Sequence, residues 1–133
     1  MATYLLDTGL VLRHLRGQRR TVQLLRGLGK ESRLAIASVT RLEVHAGMQP
    51  EERYATNKLL ARLATIDLDR EIADRAGDMI ADGKRTGQAL SVPDAIIAAT
   101  AIGQRLTLVT LNQGDFRHVP GLSLYQMEER EHS

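Results

Sequence analysis

The chain has 133 residues, 43% of them hydrophobic, and a formal net charge of +2. That is the balance of one globular domain long enough to bury a core. It contains no cysteine, which excludes disulfide scaffolds and thiolate metal sites. No apolar run reaches membrane-spanning length and no leader-like segment opens the chain, so a cytoplasmic protein away from the membrane is expected.

The first apolar run, TYLLD (3–7), reads as a buried strand that ends on a carboxylate, Asp7. Helical patterns follow at 8–16 (TGLVLRHLR) and 21–29 (TVQLLRGLG), then a second strand at 33–37 (RLAIA). The next helix, SVTRLEVHAG, is read with Ser38 as its N-cap and Gly47 as its stop. PEERYATNKLLARLA (50–64) opens on Pro50 and two acids, a good helix start. A short strand is expected at 65–68 (TIDL) and a helix at 69–84, with Ile72, Ala76, Met79 and Ile80 at helical spacing. SVPDAIIAATAIGQR (91–105) starts at Ser91 and is apolar nearly all round, so it is expected to be buried. Strands at 107–110 (TLVT) and, more weakly, 122–126 (LSLYQ) complete the series. A charged, frayed tail is expected over 127–133. Short apolar strands alternating with helices predict an α/β fold, a mainly parallel central sheet with helices on both faces.

Charge is unevenly spread. Residues 1–33 hold seven basic groups (Arg13, Arg16, Arg19, Arg20, Arg26, Lys30, Arg33) against two acids, Asp7 and Glu31. Of the 18 basic residues three are lysines (Lys30, Lys58, Lys84), leaving 15 arginines. Guanidinium forks suit phosphate, so Arg13, Arg16, Arg19 and Arg20 are candidate phosphate-binding residues, the alternative being a solvated helix face.

In open α/β sheets, ligands bind beyond the carboxyl ends of the strands. Asp7 lies at such an end, and the loop after TLVT, LNQGDF, brings Asn112 and Asp115 to another. Glu43 falls one turn or so into the helix that follows RLAIA, and Asp94 in the first turn of the apolar helix begun by Ser91. Each has a structural alternative. Asp7 can cap the next helix, Ser91 to Asp94 reads as a capping box with Pro93 in the first turn, and Asp115 suits an Asx-turn. Glu43 resists this treatment, because Leu42 and Val44 beside it look like core positions. Three aspartates and a glutamate converging without a lysine would repel one another by several kcal/mol per pair at ~4–5 Å and an effective dielectric of ~20. A divalent cation relieves that, and an all-oxygen set selects Mg²⁺, with Mn²⁺ as substitute. Phosphoryl-transfer chemistry is the usual use of such a site.

Other signals are weaker. GLGK (27–30) fails as a phosphate loop, because Leu24 and Glu31 stand where glycine and Ser/Thr are required. His45, near Glu43, is a ligand or base candidate set against a plain surface position, while His14 and His118 have no partner at ligand spacing. Phe116 reads as a core plug beside the site. With few aromatics, recognition by base stacking is not expected.

YLLDTGLVL at the start, SVTRLEVHAG in the middle, VPDAIIAATA and LVTLNQGDF…VPGL late in the chain resemble a PIN domain, in particular the VapC-type ribonuclease toxins of toxin–antitoxin modules. The resemblance runs over essentially the whole chain. It implies that Asp7, Glu43, Asp94 and Asp115 are the catalytic, metal-binding quartet, supported by Thr8, Thr110 and Asn112. It implies Mg²⁺-dependent endonucleolytic cleavage of a structured RNA, a transfer or ribosomal RNA, by a homodimer that a cognate antitoxin neutralises. Two positions depart from the family pattern: Gly9 replaces Ser or Asn after Asp-Thr, and Leu111 replaces a polar or basic residue before Asn112.

Three other readings stay open on the sequence: a PIN-like nuclease of RNA processing, a phosphoaccepting receiver module, and a non-catalytic RNA-binding module. A receiver needs an acidic pair after the first strand and a lysine after the last, and this chain has neither.

Overall fold

The computed structural model describes residues 2–127. Four strands, β1 (Ala2–Leu6), β2 (Arg33–Ala37), β3 (Ala64–Ile66) and β4 (Thr107–Val109), form one parallel sheet in the order β3-β2-β1-β4. The central strand β1 ends on two fully buried leucines, Leu5 and Leu6. Successive side chains on a strand point to opposite faces, so the pair feeds both cores at once.

On one face Leu6, Leu34, Ile36 and Val109 meet Leu10 and Val11 of α1 (Thr8–Leu15), Leu25 and Leu28 of α2 (Arg19–Glu31), Val44 of α3 (Ser38–Ala46) and Leu59 and Leu60 of α4 (Arg53–Leu60). On the other, Leu5, Ala35, Ala37 and Leu108 pack on Ile97, Ala98 and Ala101 of α6 (Val92–Gln104). Alanines on both partners keep that contact thin. A third cluster ties Ile72 and Ala76 of α5 (Arg70–Thr86) to Ala95 and Ala99 on α6. The mainly parallel sheet with helices on both faces is therefore observed. The last helix, α7 (Gln113–Phe116), seats Phe116 with no exposed surface in the second core, as a core plug should be.

Several boundaries differ from the sequence reading. The segment 122–126 adds a single parallel bridge, Leu108 with Leu124. Leu108 N–H donates to Ser123 O and Tyr125 N–H to Leu108 O, each at 2.8 Å. The chain reaches that edge through a turn at Gly121 (φ +81°) and pairs at one point only. Ser38 is the first residue of α3 and not its N-cap; its hydroxyl instead accepts from Leu68 N–H at 3.2 Å. The expected helix 50–64 is split into a 3₁₀ turn, Pro50–Glu52, and α4, and Ala64 belongs to β3. The turn is closed by a capping box between Gln49 and Glu52. Apart from Met127, the expected frayed tail lies outside the described residues. Among the described residues no helix is long and apolar enough to cross a membrane.

Candidate active site

Asp7 follows β1 and is 5% exposed. Formally it is the N-cap of α1, but the one helix amide its carboxylate serves among the described residues is Thr8 N–H, the first, at 2.8 Å. A capping side chain normally serves the second or third amide, so capping does not account for this carboxylate. Its other oxygen accepts from Thr110 Oγ1 at 2.6 Å. Thr110, just past β4, is fully buried, and its hydroxyl also accepts from Asn112 N–H at 3.0 Å. One hydroxyl thus donates to the carboxylate and takes an amide in return. Gln113 Nε2 donates to Thr110 O at 2.9 Å and steadies the same turn.

Thr8 performs the matching task for Glu43. Its hydroxyl donates to Glu43 Oε1 at 2.7 Å and lies 2.9 Å from Thr40 Oγ1. Having one proton to give, it accepts from Thr40. Thr40, one turn before Glu43 on α3, is completely buried. The sequence reading missed it, although its i, i+3 spacing from Glu43 puts the two on one helix face. The same reading misjudged Leu42, which is 64% exposed; Val44 is the core residue of the pair.

Asp94 stands in the first turn of α6, where Ser91 Oγ accepts from its backbone N–H at 3.2 Å. Ser91 is thus the N-cap, as expected. Asp115 is exposed on α7, which the sequence reading treated as loop.

The electrostatics tie the four acids together. Burial raises the Asp7 carboxyl above its ordinary value of 3.8; the Thr110 and Thr8 hydrogen bonds pull it back, and the charges of Glu43 and Asp115 push it up again. Burial also raises Asp94, helped by Asp7 and then Asp115 and Glu43, against the Ser91 hydrogen bond. Carboxylates from four separate elements therefore share one electrostatic field, and among the described residues none of them is ion-paired with a cation. The oxygen-only donor set fits a hard divalent ion such as Mg²⁺. Among the described residues, no three of these groups close on one point at ligand distance. Thr8 fixes Glu43 toward α1, while Asp115 is exposed on a one-turn helix.

Of the remaining expected positions, Asn112 contributes its backbone amide to the turn. Gly9 is exposed and a Cβ there would meet nothing within 4 Å, so the departure leaves open space beside Asp7. Leu111 is 41% exposed at the rim. Arg13, Arg16, Arg19 and Arg20 are all exposed around the α1–α2 turn. That is the far end of α1 from Asp7, ~12 Å away for an eight-residue helix. Arg19 and Arg20 begin α2, where the helix dipole disfavours cations, so they do not serve helix stability. His45 is half-buried in the last turn of α3.

Residues 4–122 match the family model for the PIN domain. The chain is 37% identical over 112 residues to Ribonuclease VapC10 of Mycobacterium tuberculosis, covering 84% of each. It is 31% identical over 98 residues to the tRNA(fMet)-specific endonuclease VapC of Salmonella typhimurium, covering 70% of this chain and 74% of that one. A solved toxin–antitoxin complex from Klebsiella pneumoniae contains a chain of the same fold, with a TM-score of 0.76 and 30% identity over 94% of this chain and 100% of that one. With this coverage, the chain belongs to the PIN domain family, among its VapC-type members.

Proposed function

We infer that the chain is a Mg²⁺-dependent endoribonuclease, the toxin of a toxin–antitoxin module, acting in the cytoplasm on a structured RNA. The observation that carries the reading is a buried, uncompensated Asp7 held by two threonine hydroxyl or amide donors, with three further carboxylates acting on the same site. Asp7, Glu43, Asp94 and Asp115 are the catalytic and metal-binding set. A divalent cation held there supplies activation of water and neutralisation of charge at the scissile phosphate. Thr110 and Thr8 orient Asp7 and Glu43 from behind, and Asn112 supports Thr110 through its amide. Arg13, Arg16, Arg19 and Arg20 hold more distant RNA phosphates.

The similarity to an endonuclease named for tRNA(fMet) favours a transfer RNA as substrate, and the relative solved as a toxin–antitoxin complex favours a cognate antitoxin as partner. Exposed Leu42 (64%) and Val92 (60%) on α3 and α6, two helices in mutual contact, suit a homodimer. The receiver reading is set aside by the family match. The RNA-binding reading differs from ours only in lacking cleavage.

The test is cleavage of a transfer RNA pool by the purified protein. Cuts are expected with Mg²⁺ or Mn²⁺, none with EDTA, and none from Asp94→Asn of unchanged fold. Full activity of that variant would refute the assignment. Replacing the four arginines by glutamine is expected to flatten the salt dependence of RNA binding by a log–log slope of ~0.7 per lost single-strand contact; an unchanged slope would make them a solvated face.

A further inference from the structure

A cavity lies at the edge of the sheet opposite the carboxylates, where the strands begin. It has a volume of about 490 Å³ and is enclosed by the end of α1, the length of α2, the start of β2 and the α4–β3 connection. Val22, Leu25, Leu34, Leu59 and Leu63 give it an apolar floor. Four cations, Arg26, Lys30, Arg33 and Arg62, form its rim, and among the described residues no acidic residue lines it. Among the described residues none of the four lies within ion-pair distance of a carboxylate. Two buried polar atoms, His14 Nδ1 and Ser32 Oγ, have no hydrogen-bond partner among the described residues, and both residues line the cavity. Buried polar atoms are nearly always satisfied, so two orphans in one cavity call for an occupant.

We propose that this cavity binds a nucleotide, its phosphate held by Arg26, Arg62, Lys30 and Arg33 and by Ser32, and its base lying on the apolar floor. The volume is within the usual range for small-ligand sites, which are apolar with a few convergent polar groups. Arginine forks and a lysine suit phosphate oxygens. The Gly29–Lys30 pair belongs here, at the last turn of α2. The carbonyl ends of α1 and α2 disfavour an anion, so the side chains must carry the attraction. The site is separate from the carboxylates, because β1, five residues long, spans the sheet between its two edges, ~16 Å. His14 reports on it: burial, Arg62 and Arg26 hold its pKa below 6.5, and a bound phosphate opposes that field. The charged groups lining the cavity beside the His14 ring are Arg26 and Lys30 of α2, Arg33 of β2 and Arg62 before β3.

The experiment uses the full chain in EDTA, so that carboxylate chemistry plays no part, and the probe is AMP, with adenosine and inorganic phosphate as part-ligands. Calorimetry is expected to give saturable AMP binding tighter than either part. The His14 ring signals should shift and their titration midpoint rise. Arg26→Gln and Arg62→Gln should each weaken AMP roughly tenfold, whereas Arg85→Gln, on an exposed pair with Asp82 elsewhere, should not. A 2′-O-methyl RNA hexamer that displaces AMP assigns the site to a nucleotide unit of a chain; one that does not assigns it to a free nucleotide. Absence of AMP binding at about 5 mM, or no effect of either arginine variant, overturns the proposal. Displacement of AMP by a glutamate-rich peptide at equal concentration overturns it in favour of a protein partner.

Discussion

Thr110→Val keeps the shape of a fully buried side chain and removes one hydroxyl. Two bonds are lost: the 2.6 Å donation to the Asp7 carboxylate and the 3.0 Å acceptance from Asn112 N–H. A hydrogen bond to a charged group contributes ~1.5–3 kcal/mol and an ordinary one ~1, so a loss of about 3 kcal/mol is expected at pH 7. The loss should depend on pH in a definite direction. The native Asp7 pKa is raised above 3.8, and the Thr110 bond is the main influence opposing that rise. Without it the native carboxyl binds its proton more tightly still. Native protein binding more protons than unfolded protein gains stability as pH falls. The variant therefore recovers more than the parent, beginning at a higher pH, and the gap narrows to about 1–2 kcal/mol once pH is below 3.8 and both states are protonated. Urea unfolding of both proteins in EDTA at pH 7, 5 and 3.5 measures it. A difference under about 0.5 kcal/mol at pH 7, or one of equal size at every pH, would refute the role given to the Thr110 hydroxyl.

Asp94→Asn should be more stable than the parent in EDTA at pH 7 by ~1 kcal/mol, since one of four repelling charges is gone while Asn keeps the shape. Because the native Asp94 pKa is raised, that gain should fade as pH falls to 3.8, and Mg²⁺ should raise the melting temperature of the parent far more than that of the variant. A parent that melts alike in EDTA and Mg²⁺ would return Asp94 to a structural role. On α5, Gly83→Ala places a Cβ inside the contact distance of Gln88 O, a backbone atom, whereas a Cβ at Gly77 meets nothing within 4 Å. Circular-dichroism melts should show the first destabilised by ~1–3 kcal/mol and the second stabilised by ~0.5–1; equal effects would refute the close packing at Gly83.

Among the described residues the period of the apolar pattern located every strand and most helix starts, because the elements that carry the core have little freedom in which residues they bury. Leu5 and Leu6 announce a strand buried on both faces, and Ser91 announces the helix it caps. Errors fell where a tertiary partner decides. Ser38 looked like a cap because serine before a helix usually is one, yet its hydroxyl is taken by Leu68 from 30 residues away. Leu42 looked like core because leucine usually is, but α3 turns that face to solvent. The run at 122–126 has strand composition and reaches only one bridging position. No local signal distinguishes those cases.

That Asp7 and Asp115 come near one another was legible because strand ends in a parallel sheet share one edge, so an acid after β1 and another after β4 must be neighbours. What holds them in place was only half legible. Thr8 and Thr110 stand beside Asp7 and Leu111 in recognisable motifs, while Thr40 gave no such signal and acts through another threonine. Their chemistry decides what the site can do. A lysine or arginine would fix a buried carboxylate more firmly than a hydroxyl, but it would also neutralise the charge and occupy the oxygens. Threonine hydroxyls and backbone amides orient Asp7 and Glu43 as neutral donors. The negative charge is thereby aimed and left uncompensated, which costs stability, and a divalent cation held there as proposed would relieve that stored repulsion. A site stabilised by ion pairs would fold more tightly and bind metal less well.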